Sequence, residues 1–158
     1  MKAGERASPK GRLGYELTCA EHAFRIGMDE ILRPLGLTAP QYAALLWIKF
    51  DPGISNARLA KCVFVSSQTM QVMLAKLESR GLVTRSPDPS HGRILKTELL
   101  PDGEEILSKA EERTRHFEEA VSSALNPREA QYLTATMAKF FEVIKTVSRT
   151  LKEQKIFD

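Results

Sequence analysis

Apolar residues recur at helical spacing through most of the chain and switch to alternation in one short region. Over residues 13–35 the positions Leu13, Leu17, Ala20, Phe24, Ile31 and Leu35 fall on one helical face. Gly36 ends that helix. Thr38 caps a second one over residues 39–50, with Pro40 in its first turn. This helix is apolar on most sides, which predicts a central, buried position. After the turn "DPG" at 51–53, Ser55 caps a short helix with Leu59 and Cys62 or Val63 inward, Cys62 as a small core residue. Ser66 or Ser67 caps the next helix, whose inward stripe is Met70, Leu74 and Leu77 with Met73 beside them. Gly81 is placed to end it in the left-handed conformation. The period then changes. Residues 82–86 and 93–99 are β-prone, with Leu95, Thr97 and Leu99 alternating against Ile94, Lys96 and Glu98, and "PDPSHG" between them predicts a β-hairpin.

Two long helices follow. The first, over residues 101–125, carries Ile106, Ala110, Phe117, Val121 and Ala124 on one face, and Asp102, Glu104 and Glu105 suit its positive N-terminal end. The second opens with a capping box, Asn126 and Glu129, around Pro127. Its apolar positions Leu133, Met137, Phe140, Ile144, Val147 and Leu151 are spaced by alternating fours and threes, a heptad seam suited to a long helix–helix contact between subunits.

Charge sharpens this picture more than composition does. The chain has 158 residues, 42% hydrophobic and 27% charged, which suits one soluble domain. From residue 55 to 96, seven bases (Arg58, Lys61, Lys76, Arg80, Arg85, Arg93, Lys96) stand against two acids (Glu78, Asp88), a local charge of +5. From 101 to 125, three bases stand against seven acids, or −4. A basic segment beside an acidic one is either uneven solvation of helix faces or a cationic face for a polyanion. No apolar run approaches the roughly 18 residues of a membrane span. The opening "MKAGERASPKGR" lacks the apolar stretch of a secretory signal. Two cysteines, Cys19 and Cys62, are too few for a disulfide framework. A cytoplasmic location is expected, with no membrane partner.

Short helix, turn, helix, then a two-stranded hairpin is the order of a winged helix-turn-helix. The expected fold is mainly α with a small β-hairpin wing. Residues 1–12 form a flexible basic arm, 36–100 the DNA-binding winged helix, and 13–35 with 101–158 a helical dimerisation region. The second helix of the pair opens with Ser66, Ser67, Gln68, Thr69 and Gln71. Free amides at a helix N-terminus take phosphate, hydroxyls reach phosphate or base edges, and glutamine pairs with adenine in the major groove. Capping needs only one of the five, so their density favours a binding face over plain solvation.

The stretches "LTAPQYAALLWI" (37–48), "GISNARLAKCVFVSSQTMQVMLAKLESRGLVTR" (53–85), "DPSHGR" (88–93) and "LLPDGEEIL" (99–107) resemble the MarR-type transcriptional regulators. The resemblance covers most of residues 13–125. It implies a dimer joined through the first and last helices, each subunit offering a winged helix to a pseudo-palindromic operator. It also implies repression relieved by a small, often aromatic or phenolic, acid bound between the DNA-binding and dimerisation regions. Recognition-helix contacts then fall on Ser66, Ser67, Gln68, Thr69 and Gln71, and a backbone-contacting arginine on Arg85. The wing-tip arginine of the minor groove falls on Arg93, braced by the acid matching Asp88, with Pro89 and Gly92 shaping the loop. Three positions depart from the family pattern. His91 stands where many members have a second acid, which removes a repulsion from phosphate and allows a contact when protonated. Leu100 replaces the threonine that usually caps the following helix. Val72 stands where a polar or basic residue is common; it is either a core contact or an apolar contact for a thymine methyl.

Tyr15, Cys19, His22, Arg25 and Ile26 follow helical spacing on the first helix, and Trp47 and Phe50 lie on the buried one. Together they suit a pocket with an aromatic wall and a cation for a carboxylate, or else a core with one snorkelling arginine. Cys19 as a redox sensor is an alternative, although the family's reactive cysteine falls about where Gly14 lies. A winged helix used only for protein contacts is another. An enzyme is not expected. His22, His91 and His116 are far apart, and no HExxH, P-loop or GxSxG motif is present. No metal or other cofactor is implied.

Overall fold

The structure, a computed structural model, describes residues 10–88 and 91–153; the side chains of residues 91–94 and 152 lie outside that description. Residues 1–9, most of the expected basic arm, lie outside it too.

Helix α1 (Leu13–Leu32) ends earlier than its apolar period suggests. Pro34 has no amide hydrogen, so residues Arg33–Leu35 close as a 3₁₀ turn, and Gly36 leaves it with φ of 64°. The buried face of α1 is Met28 and Leu32, with Ile31 and Leu35 partly covered. The expected stripe through Leu13 and Phe24 is not buried within the chain: Leu13 is 57% exposed and Phe24 41%. The period is real, but it extends past the part of the helix that the chain's own core covers. Phe24 does rest on Phe117, ring centroids 5.4 Å apart.

Helix α2 (Ala39–Phe50) starts at Thr38, whose backbone N–H donates to Gln41 Oε1 at 3.0 Å. The next amide, of Ala39, donates to Asp29 Oδ1 at 2.7 Å, so a carboxylate of α1 sits at the positive end of α2. Ala44, Leu45 and Ile48 are buried as expected. Trp47 and Phe50 are not: they lie on the open side of the helix, with Phe50 78% exposed.

Strand β1 (Ile54–Ser55) leads into α3 (Asn56–Val63), a tight turn and α4 (Ser67–Ser79). Leu59 and Ala60 of α3 and Met70, Leu74 and Leu77 of α4 enter the core, and Cys62 packs against it. Each large side chain so buried contributes about 1.5–3 kcal/mol. Gly81, at φ of 70°, ends α4 in the left-handed region as expected. Strands β2 (Val83–Asp88) and β3 (His91–Leu99) form the hairpin, longer on both sides than the sequence indicated. The register pairs Val83 with Leu99, Arg85 with Thr97 and Pro87 with Leu95, with an irregularity between Pro87 and Asp88. β1 adds to the other edge of β3, Ile54 opposite Thr97, giving the antiparallel order β1-β3-β2.

Helix α5 (Pro101–Ser122) buries Gly103, Leu107, Ala110 and Thr114. Of the expected face, Ala110 alone is fully buried. Ile106 and Phe117 are only partly covered and Val121 is 48% exposed, because the true stripe passes one position beyond Ile106. Thr114 fits this stripe because Tyr42 Oη lies 2.9 Å from its hydroxyl. Leu100 donates its backbone N–H to the Leu82 carbonyl at 3.0 Å. The helix also stops at Ser122 rather than near Leu125, and a turn in which Leu125 N–H donates to Ser122 O follows.

The chain divides into two compact units, the first running to Phe117 and the second from Glu118. In the second, α6 (Pro127–Glu153) starts with the expected capping box. Asn126 Oδ1 accepts from the amides of Arg128 and Glu129 at 3.0 Å each, and Glu129 Oε2 accepts from Asn126 N–H at 2.9 Å. No described helix is long and apolar enough to cross a membrane.

Candidate nucleic-acid interface

The N-terminus of α4 is a built and open surface. Ser66, rather than Ser67, is the cap: its Oγ accepts from Thr69 N–H at 3.0 Å and lies 2.8 Å from Thr69 Oγ1. From the preceding helix, Asn56 Nδ2 donates to the Ser67 carbonyl at 3.1 Å, which locks the angle of the two helices at their turn. With Met70, Leu74 and Leu77 directed into the core, helical geometry leaves Ser67, Gln68, Gln71 and Val72 outward, and all four are exposed. Ser67, Gln68 and Gln71 have no side-chain hydrogen-bond partner among the described residues. Capping therefore uses Ser66 and Thr69 and leaves the other polar groups available. Val72 is 55% exposed, which excludes the core reading of that residue.

The bases of this segment divide into two groups. Arg58 pairs with Asp51 at 3.1 Å and Lys96 with Asp88 at 3.7 Å. Arg85 donates through Nε to Glu78 Oε2 at 2.9 Å and through Nη2 to the same oxygen. Arg80 donates to the carbonyls of Gly36 and Leu35. Lys61 and Lys76 stand exposed on the helices. The residue count of +5 thus overstates the positive charge open to a ligand. Asn56, Glu78 and Arg80 lie within the stretch 53–85 that resembles the family, but the sequence assigned them no role at this surface; Glu78, one of only two acids in a basic segment, was the one available signal.

In the wing, Asp88 is largely covered and is directly opposite His91 in the strand pairing. The side chains of His91 and Arg93 lie outside the described residues, as do Pro89 and Ser90 entirely. A groove of about 350 Å³ runs between α4 and the sheet, lined by Ser55, Asn56, Gln71, Arg85 and Thr97 among others. Thr97 Oγ1 and Asn56 Oδ1 are buried and have no hydrogen-bond partner among the described residues.

The remaining candidates lie on α1, α2 and α6. Tyr15, Cys19, His22, Arg25 and Ile26 are all exposed on α1. Arg25 Nε lies 3.3 Å from Glu21 and its Nη2 3.1 Å from His22 Nδ1. Hydrogen bonding to Cys19 raises the pKa of the Tyr15 hydroxyl above its ordinary value. On α2, Trp47 and Phe50 meet edge to face with centroids 5.6 Å apart. The heptad seam of α6 is apolar and uncovered: Leu133, Met137, Ile144 and Val147 are 38–50% exposed, with Phe140 and Leu151 half-buried.

Helix, turn, a second helix with an exposed N-terminal face and a three-stranded wing make up a winged helix-turn-helix, the fold of a class of transcriptional regulators. The sequence profile of the MarR family matches residues 35–94. The HTH-type transcriptional repressor Rv2887 of Mycobacterium tuberculosis is 35% identical over 130 residues, spanning 82% of this chain and 88% of the relative. The chain belongs to the MarR family. Among solved structures, Rv2887 in complex with salicylic acid aligns with a TM-score of 0.69 at 30% identity, over 85% of this chain and 99% of that one. The transcriptional repressor CouR, bound to a 23-mer DNA duplex, aligns with a TM-score of 0.76 at 28% identity, over 81% and 91%.

Proposed function

We propose that the chain is a dimeric repressor that places α4 in the major groove of a pseudo-palindromic operator and is released by a small aromatic acid. The observation that carries this reading is the exposed row Ser67, Gln68, Gln71 and Val72 on a helix whose cap is already satisfied by Ser66 and Thr69. In this reading Ser66 and Thr69 present the helix amides to phosphate, and Ser67, Gln68, Gln71 and Val72 meet base edges. Arg85 meets the backbone. Arg93 enters the minor groove, Asp88 braces it, and His91 adds a phosphate contact when protonated. That a similar protein, CouR, is known bound to a DNA duplex supports the choice of partner.

The uncovered seam Leu133, Met137, Phe140, Ile144, Val147 and Leu151 supports dimerisation, since exposed apolar surface of this extent marks an interaction site. Residues 13–35 and 101–158 then serve dimerisation and 36–100 DNA binding. The effector is a carboxylate of the salicylate class, as supported by the Rv2887 complex, taken by Arg25 with Tyr15, Cys19, His22, Ile26, Trp47 and Phe50. Footprinting on the DNA upstream of the chain's own gene tests the whole reading. The expected result is two protected half-sites about 34–36 Å apart that vanish as salicylate is added. A single half-site, or protection indifferent to aromatic acids, contradicts the dimer or the effector respectively.

A further inference from the structure

Between residues 55 and 96 the only acids are Glu78 and Asp88, and each holds a base of the wing. The Glu78 pair is the closer of the two. Arg85 reaches it from β2 with both Nε and Nη2 on the single oxygen Oε2. This is not the parallel fork that uses both carboxylate oxygens. It leaves Glu78 Oε1 and Arg85 Nη1 without hydrogen-bond partners among the described residues. Arg85 is 19% exposed at the side chain and Glu78 38%, so the pair is partly shielded from solvent but still reachable. Arg85 also lines the groove beside Gln71, proposed as a base-facing residue of α4, together with Thr97, whose buried hydroxyl has no partner among the described residues. A guanidinium at the edge of the reading surface is therefore already occupied by an anion of the protein's own.

We propose that Glu78 is an internal substitute for a DNA phosphate. It holds Arg85 in the free protein and competes with the operator backbone for it, so that Glu78 limits affinity and flattens the salt dependence of binding. This inference rests on the reading of Arg85 as a backbone contact. A guanidinium whose charge is already balanced by a carboxylate adds little to the neutralisation of phosphate and to counterion release. Once the carboxylate is gone, the same guanidinium contributes to both.

The test is operator titration across a salt series with Glu78→Gln, Arg85→Gln and the double variant, each checked for an unchanged melting profile. Glutamine keeps the shape of Glu78, and a Glu78→Ala variant repeats the measurement should the amide form a new bond. The expected result is that Glu78→Gln binds roughly two- to fivefold more tightly. The slope of log affinity against log salt becomes more negative by about 0.9, the value for one further phosphate. Arg85→Gln weakens binding, and adding Glu78→Gln to it changes nothing. Weaker or unchanged binding by Glu78→Gln overturns the inference and makes Glu78 a positioning brace. Equal tightening with Arg85 absent overturns it in favour of general charge. If Arg85→Gln alone leaves affinity and slope untouched, the reading of Arg85 itself fails, an outcome distinct from the other two.

Discussion

Arg80, at the end of α4, donates from Nη1 to the carbonyl oxygen of Gly36 at 2.6 Å and from Nη2 to that of Leu35 at 2.9 Å. Those carbonyls belong to the turn that closes α1, where the helical ladder has run out of donors. One side chain thus ties α4 to the end of α1. Arg80→Ala is expected to lower stability by about 1–2 kcal/mol, the lower part of the range for charge-assisted bonds because the guanidinium is exposed. Arg80→Lys, which cannot span both carbonyls, should fall between. Chemical denaturation measures both, and an Arg80→Ala protein of wild-type stability removes the tie.

Gly103 shows how a helix can require glycine at a position without special backbone angles. A Cβ there would overlap the carbonyl oxygen of Leu82 and come within 2.9 Å of its carbon. That carbonyl is fixed, because it accepts from Leu100 N–H. Glycine to alanine inside a helix ordinarily gains about 1 kcal/mol. Here the clash dominates, and Gly103→Ala should cost about 3 kcal/mol or more. Gly27→Ala should cost less, since its obstacle is the Phe117 ring, which can turn aside. Thermal melts of the two variants give the order, and an increase in melting temperature for Gly103→Ala refutes the packing.

Val72→Ala separates reading from folding. At 55% exposure its loss should move stability by no more than about 0.5 kcal/mol. If it touches a thymine methyl, discrimination at one A·T position of the operator should fall by about 1 kcal/mol. Competition with single-base operator variants detects this, and an unaltered preference at every position makes Val72 a bystander.

The α6 seam predicts its own disruption. Ile144→Asp, in the middle of the row, should shift sedimentation from dimer to monomer without loss of helix content, because Ile144 is already 45% exposed within one chain. A dimer that persists places the subunit contact elsewhere.

The sequence made the element order legible because turn chemistry and period agree at nearly every boundary, as at Asn126 and Gly81. It did not say which part of each apolar face of α1 and α5 the chain's own core covers. Met28 and Leu107 are buried while Phe24 and Val121 of the apolar faces stay exposed, since a helix with apolar residues on more than one side does not say which side its core covers. The two-residue strand β1 is too short to carry an alternation. In the candidate interface, the exposed face of α4 followed from its spacing. Glu78, Asn56 and Arg80 did not, because they act on partners 7, 11 and 44–45 residues away, beyond the reach of any local pattern.

In the proposed complex the N-terminal face of α4 reads sequence while the wing supplies grip. Titration of Gln71→Ala and Arg93→Ala against operator and scrambled duplexes, at matched salt, tests it most directly. Gln71→Ala should lose about tenfold on the operator, within the 1–3 kcal/mol of one base contact, and nothing on scrambled DNA. Arg93→Ala should weaken both and flatten the salt slope. If Gln71→Ala binds the operator as the wild type does, or loses equally on both duplexes, α4 is not the reading element and the account is wrong.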